Sequence, residues 1–576
     1  MKRLKISIFL IVLVAALPGF SQKSPQDYFS APLQIRLDVT GAFAELRPNH
    51  FHSGTDFKTQ GKEGLPVMAV ADGYVSRIKI SPFGFGNALY IDHPNGYTSV
   101  YGHLLKYNPV IAAYANRRQY ELQSFAVDIF PANDKDTLWI KKGDVIGYSG
   151  NSGTSFGAHL HFEMRTTSTE RIQNPFLFGF KNNDNYYPYF DLLKVYPMDD
   201  ESSIETSGEA ALFSVKNIGT GAYRLSENDT LYLWGQFAFG VQAFDYMYSP
   251  TDRNGFYGLR MKLDNKLFFS MQCDSFAFDE TRNVNACIDY TTYYRLGKRI
   301  VWSNRLPGNK MSFFQTYDGN GTVSFTDGKP HELSVEVYDF KGNTSTLKVP
   351  VVSRKPGKIV SVTNFENADT VCHVPWNKNT QLEYKGLHLG FPAGALYEDT
   401  ELTMSESVAV SGLYSSRYTV HNPETPVQKL FTVSIDAAKV PSNLVDKALI
   451  VSINPKNSKR SSEGGKYING RITAETNSFG VFAIAIDNTE PSIKLIAQKA
   501  STAKSIKFTV SDNLSGIADY HGELNGKWAL VEWDPKNRLM IYRFDKMLQK
   551  GKNDFKLFVT DAVGNTATYT TSIFKN

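Results

Sequence analysis

The chain has 576 residues, 42% apolar and 21% charged, with Gly and Pro near their average share. Those proportions exclude wholesale disorder and collagen-like or low-complexity architectures, and at about 150 residues per domain the length implies three to five domains. The net charge is only +5, and Lys2, Arg3 and Lys5 crowd the N-terminus, so the chain carries no electrostatic footprint for nucleic acid.

The first segment reads as an export leader. Lys2, Arg3 and Lys5 precede the apolar run Ile6–Leu17, Pro18 and Gly19 break it, and Ser21 is a small residue suited to cleavage before Gln22. Twelve residues rise about 18 Å as a helix, well short of the roughly 30 Å hydrocarbon core. No later run reaches 18 apolar residues, so no membrane span is expected in the mature chain. Localisation is therefore expected outside the cytoplasm, with the periplasm favoured over the extracellular space because no wall-sorting signal ends the chain. Cys273, Cys287 and Cys372 are too few for a disulfide framework.

After the leader come strand signals. VMAVADGYVSRI reads as a hairpin turning at Asp72-Gly73, and ALYIDHPNGYTSVYGHL as one turning at Asn95-Gly96. Six of the eleven histidines (His50, His52, His93, His103, His159 and His161) fall within this first block. Beyond Asp200 the chain turns to Ser/Thr/Asn-rich strands. HELSVEVYDF alternates Leu333, Val335 and Val337 against Ser334 and Glu336, a half-buried strand. Asp339-Phe-Lys-Gly-Asn343 and Asp561-Ala-Val-Gly-Asn565 form a weak internal repeat, each expected to close the last hairpin of a sandwich. Pro350–Lys358 and Asp487–Pro491 read as linkers, and no segment carries a helix signal strong enough to name.

Two short strings carry the chemistry. In His52-Ser-Gly-Thr-Asp56, Gly54 disfavours a helix, so His52 and Asp56 reach a metal from a bent loop. In His159-Leu-His161-Phe-Glu163, residues two apart share one strand face at about 6.6 Å, so Leu160 and Phe162 face the core and His159, His161 and Glu163 the site. Two imidazoles and one carboxylate make a catalytic zinc set with the fourth position left for water. Neighbouring strand histidines cannot both bind one ion with equal geometry, so one stays free. His93 reads as structural and His50 as exposed or behind the site. His331, His373, His388, His421 and His521 show no ligand pattern, and His331-Glu332 lacks the second histidine of HExxH.

His-x-Gly-x-Asp, Tyr101-Gly-His103-Leu and Gly157-Ala-His159-Leu-His161 resemble the lysostaphin-type zinc endopeptidases that cut peptidoglycan peptides, over about Phe43–Arg165. The resemblance implies a small antiparallel sheet, the duplicated hybrid motif, with His52, Asp56 and His161 binding Zn2+ and His103 and His159 as the catalytic pair. Two departures stand out. No Tyr lies between Leu33 and Phe51 to help hold the oxyanion, leaving Arg47 as the substitute, and residues 105–138 form a long insertion whose Tyr120–Phe130 stretch is expected to add a strand beside the cleft.

The repeat units after residue 200 resemble immunoglobulin-like domains of exported bacterial proteins. The expected organisation is mainly β: signal peptide 1–21, peptidase domain 22–200, immunoglobulin-like sandwich 201–355, β domain 356–487 and a second immunoglobulin-like sandwich 488–576. The expected function is exported zinc-dependent hydrolysis of peptidoglycan peptide bonds, with the β domains binding wall or a protein partner. The competing expectation is an exported wall-binding or scaffolding protein with a non-catalytic metal site.

Overall fold

The computed structural model describes residues 24–131, 137–181, 184–227, 230–247, 252–360, 368–496 and 504–575. The expected leader lies outside them. Among the described residues no helix is long and apolar enough to cross a membrane. The architecture is mainly β, as the aromatic-rich composition predicts.

The first block is built on an antiparallel sheet whose strands run in the order Val39–Gly41, Thr55–Lys58, His159–Thr166, Tyr97–Gly102, Asn87–Asp92, Gly73–Ile80 and Val127–Ile129. Its inner face buries Phe57, Leu89, Tyr101, Leu160 and Phe162, the alternation expected of a half-buried strand. Asn95-Gly96 turns a hairpin as expected. Asp72-Gly73 does not: it is a corner, because Pro66–Met68 pairs with Val145–Tyr148 in a separate three-stranded sheet while Gly73–Ile80 pairs with Asn87–Asp92.

The insertion corrects the expectation of a helix-free chain. Pro109–Leu122 is an α-helix, capped by the Asn108 side chain accepting from the Ile111 amide at 2.9 Å and opened by Pro109 at its first turn. Only Ile111, Tyr114, Ala115 and Gln119 are buried, while Val110 and Leu122 are exposed, which blurs the helical stripe in the sequence. The expected extra strand is shorter than Tyr120–Phe130. Tyr120 lies in the last turn of the helix, and Val127–Ile129 alone joins the sheet edge against Gly73–Ile80.

The second sheet has thirteen strands around the long strand Leu231–Tyr246. Tyr189–Pro197, expected in the first domain, pairs with that strand and with Ala211–Gly219, so it belongs to the second sheet. Strand Thr344–Ser353 continues through Pro350, which is therefore not linker. Two short helices, Val284–Cys287 and Tyr290–Leu296, sit among these strands. The two blocks are fused. Phe43 and Phe51 of the first are buried in the second core, with the Phe51 ring 5.0 Å from Phe313 and 5.8 Å from Phe276, and Ile172–Gln173 pairs with Ser275–Phe276.

A six-stranded and a five-stranded sheet follow over one core, then two four-stranded sheets over another. The hairpin expected at Asp561–Asn565 joins Gly551–Asp561 to Thr566–Lys575, and that at Asp339–Asn343 joins Pro330–Tyr338 to Thr344–Ser353. The last sandwich returns to the first block. The Trp528 ring lies 5.2 Å from Tyr120, whose hydroxyl bonds Asp545, and Lys536 Nζ donates to the carbonyls of Asn151 and, at 3.1 Å, Ser155. The three cysteines are free thiols.

Candidate metal centre

Sheet register assembles the site. His161 stands in a central strand directly opposite Asp56 on one side and Gly102 on the other, and His103 follows Gly102 where that strand ends. His52 reaches in from the loop before Asp56. Gly54 explains the His-x-Gly-x-Asp spacing: a Cβ there would lie 2.5 Å from the Phe162 carbonyl and 2.9 Å from His161 Cε1. The loop passes close enough to deliver both ligands only because nothing projects at that position.

His52 Nε2, Asp56 Oδ1 and His161 Nδ1 converge, at 3.0 Å between His52 and Asp56, 2.9 Å between His161 and Asp56 and 3.1 Å between the two imidazoles. All three residues are buried. Each is held from behind. His52 Nδ1 donates to the Ala42 carbonyl at 2.8 Å, Arg47 Nη2 donates to Asp56 Oδ2 at 2.7 Å, and His161 Nε2 donates to Glu163 Oε1 at 3.1 Å. Glu163 Oε2 in turn accepts from Arg165 Nε at 2.7 Å and Nη2 at 2.5 Å. The Phe85 ring stacks on His161 at 4.7 Å. These partners fix the ring tautomers so that one lone pair of each imidazole faces a common point, and the donor chemistry of the set fits a divalent metal.

Arg47, expected near an oxyanion, therefore orients Asp56 instead. Glu163 shares the strand face of His161 but stands behind that ring, not among the converging atoms. Period-two alternation puts it on the correct face, and the same alternation puts Arg165, two residues on, beside it.

His103 and His159 stand beside the trio with ring centroids 4.8 Å apart. His103 Nδ1 donates to the Ser152 carbonyl at 2.8 Å and His159 Nδ1 to the Gly157 carbonyl at 2.9 Å, which leaves Nε2 of each as an acceptor. His103 holds φ 57°, a left-handed backbone that non-glycine residues seldom adopt. His93 is structural, with its ring nitrogens on the Asp72 carbonyl and Ser99 Oγ, and His50 is exposed.

The electrostatics follow from burial and these contacts. Burial lowers His52 to about 4 despite the Asp56 carboxylate, and lowers His103 to about 3 with help from His161 and His159. Burial also opposes charge on His161, but its hydrogen bonds to the Asp56 and Glu163 carboxylates outweigh it and hold that ring at about 9. Asp56 and Glu163 are pushed up by burial yet pulled down further by their partners, Glu163 to about 2 through Arg165 and His161.

Three buried converging donors with two acceptor imidazoles at their side form a candidate metal centre of the kind hydrolases use. Residues 50–114 match Peptidase family M23, and residues 372–487 match the Zu5-like domain. An uncharacterized metalloprotease of Haemophilus influenzae is 32% identical over 140 residues, 24% of this chain and 22% of that protein. The DD-carboxypeptidase/endopeptidase Mpg of Neisseria meningitidis is 32% identical over 114 residues, 20% of each chain, and lysostaphin of Staphylococcus staphylolyticus 28% over 130, 22% of each. The chain spans only about a fifth of the length of these relatives. Among solved structures, the catalytic domain of lysostaphin from Staphylococcus simulans is 27% identical, covering 24% of this chain and 88% of its own with a TM-score of 0.17. The chain carries a lysostaphin-type peptidase domain of family M23, with a Zu5-like domain in its β-rich remainder.

Proposed function

We propose that this chain is an exported zinc metalloendopeptidase that hydrolyses amide bonds in peptidoglycan stem peptides or cross-links. The reading is carried by one observation: His52, Asp56 and His161 converge in a buried trio with His103 and His159 at its open side. Two imidazole nitrogens and one carboxylate oxygen suit zinc better than magnesium or copper(I). Zinc bound there supplies Lewis acidity toward the scissile carbonyl and acidifies a water to a pKa near 7.

The chain's own residues do the rest. His159 is the more open of the pair, its side chain 14% exposed, so it meets substrate from the solvent side while His103 closes the floor. One imidazole accepts the attacking water's proton at Nε2, and the other supports the tetrahedral oxyanion. Arg47 and Glu163 keep the ligands aimed. Relatives of the matched segment include the DD-carboxypeptidase/endopeptidase Mpg and, 29% identical over 131 residues, the glycyl-glycine endopeptidase ALE-1 of Staphylococcus capitis, so a stem-peptide bond and a glycine bridge are both within the class. Export rests on the leader-like N-terminus, and the β-rich remainder is assigned to hold the enzyme on wall or a protein partner.

The test is soluble muropeptide release from purified sacculi by the full chain, with chelator and with zinc restored. Release that stops with chelator and returns with zinc is expected, and the product masses identify the bond. A zinc-loaded, folded protein that releases nothing from sacculi of several wall types would sink the reading.

A further inference from the structure

A second convergence of ligand atoms lies outside the peptidase site. Asp184, Asp245 and Asp339 each bring a carboxylate oxygen to within 4.8 Å of the others, and all three residues are buried, at 0%, 1% and 1% exposure. They come from three separate pieces of chain: the loop leading into Tyr189–Pro197, the end of the long strand Leu231–Tyr246, and the turn before Thr344–Ser353.

Two of the carboxylates are anchored. Asp339 Oδ1 accepts from the amides of Gly342 and Asn343 at 2.7 and 2.8 Å, Asp339 Oδ2 from Asn343 Nδ2 at 2.6 Å, and Asp184 Oδ1 from the Tyr186 amide at 2.9 Å. Asp245 is different. Both of its carboxylate oxygens are buried, and among the described residues neither has a hydrogen-bond partner. Its partner across the ladder, Asn254, has a buried oxygen, Oδ1, that also lacks a donor among the described residues. A carboxylate buried against two others with nothing to bond costs several kcal/mol unless a cation or a proton compensates it. The nearby ammonium, Lys341 Nζ, is directed at the Asp184 carbonyl at 2.7 Å and Asn185 Oδ1 at 3.1 Å.

We propose that Asp184, Asp245 and Asp339 form a structural calcium site that ties these three pieces of chain together. The donors are all hard oxygens, with no imidazole or thiolate among them, which excludes a zinc-type site. Calcium accepts irregular cages of carboxylate and carbonyl oxygens, whereas magnesium demands octahedral geometry and keeps several waters, for which a trio this buried leaves little room. Without a cation, burial and the neighbouring carboxylates raise Asp184 to about 7 and Asp245 well above the usual carboxylate range.

The last sandwich repeats the construction. Asp487 precedes its first strand, Asp512 follows its second and Asp561 opens its final Asp-x-x-Gly-Asn turn, and their carboxylates also cluster. Asp561 Oδ1 takes the Val563 and Asn565 amides, much as Asp339 takes its own turn. That trio is less buried and its acids are largely satisfied by amides, so the proposal is confined to the first.

The experiment uses the full chain loaded with zinc. Equilibrium dialysis against radiolabelled calcium at up to about 5 mM, the weak end expected of exported modules, is run on the parent, Asp245→Asn and Asp184→Asn. The parent is expected to bind one calcium per chain more than either variant. Calcium should raise the parent's melting transition by on the order of 5 °C, and equal magnesium should not. Without calcium, Asp245→Asn should melt at or above the parent, because it removes an unpaired buried charge. Equal calcium stoichiometry in parent and both variants would overturn the proposal. So would a parent stabilised only by acidification, or one stabilised equally by magnesium.

Discussion

Replacing Glu163 by Gln separates a positioning carboxylate from an ordinary buried acid. Its side chain has no solvent exposure, and its two oxygens serve different partners, Oε1 the His161 ring at 3.1 Å and Oε2 the Arg165 guanidinium at 2.5 and 2.7 Å. Losing the charged acceptor behind a ligating imidazole typically costs 10–100-fold in metal affinity, or about 1.4–2.7 kcal/mol. Arg165, itself 3% exposed at the side chain, keeps Glu170, whose side chain is 62% exposed, as its carboxylate partner among the described residues. Breaking a buried pair by removing one partner costs about 3–5 kcal/mol. Competition titration with a chromophoric zinc chelator reads the first effect and urea unfolding of the metal-free protein the second. Glu170→Gln is the control, expected below about 1 kcal/mol because that acid is exposed. If Glu163→Gln lost stability yet bound zinc as tightly as the parent, the account of His161 orientation would be wrong.

Other outcomes follow from the same geometry. His52→Ala, Asp56→Ala and His161→Ala should lose zinc and hydrolysis together, whereas His103→Ala and His159→Ala should keep zinc and slow hydrolysis by about 10²-fold or more each; zinc content and turnover on the five variants decide this. In the metal-free protein His161 is raised to about 9, above its ordinary 6.5, so the stability it contributes is full below about 6.5 and disappears as pH rises through 9. Metal binding must expel that proton, while His52 at about 4 and the ionised Asp56 have none to give near neutrality. Apparent zinc affinity should therefore climb about tenfold per pH unit from 7 toward 9, with one proton released in calorimetry; a flat profile refutes this. A fragment ending at residue 200 should lose metal affinity, because it exposes Phe43 and Phe51 and strands Tyr189–Pro197; full zinc binding by a folded fragment would show the second core to be dispensable.

Four of the candidate site positions were legible because their spacing is chemical: His52 and Asp56 straddle a glycine that lets the chain pass close, and His159 and His161 share one strand face, while His103 came with the family resemblance alone. What supports them was not legible. Arg47 lies outside any motif, and its bond to Asp56 depends on how the loop before His52 folds back. Arg165 follows Glu163 by two residues on the same strand, so alternation puts both on one face, but that they pair with each other behind His161 shows only in the structure. The helix Pro109–Leu122 escaped because its buried stripe is narrow, although Asn108-Pro109 is a cap-and-start pair that sequence alone carries. That Tyr189–Pro197 joins the second sheet is not legible, because alternation shows that a strand exists and not which sheet it joins.

The contacts that brace the site come from far downstream. The Phe51 amide beside His52 is held by Thr281, 230 residues later, and Lys536 bonds the Ser155 carbonyl across 381. The loop under Lys536 also supplies the Ser152 and Gly157 carbonyls that aim His103 and His159. A chain emerging from its N-terminus thus presents every ligand early and the braces late, the last of them only when the final sandwich has folded. Hydrolysis measured on chains halted at increasing length should rise in two steps, after about residue 313 and again after 536. On the proposed function, such timing withholds hydrolysis until the final sandwich has formed.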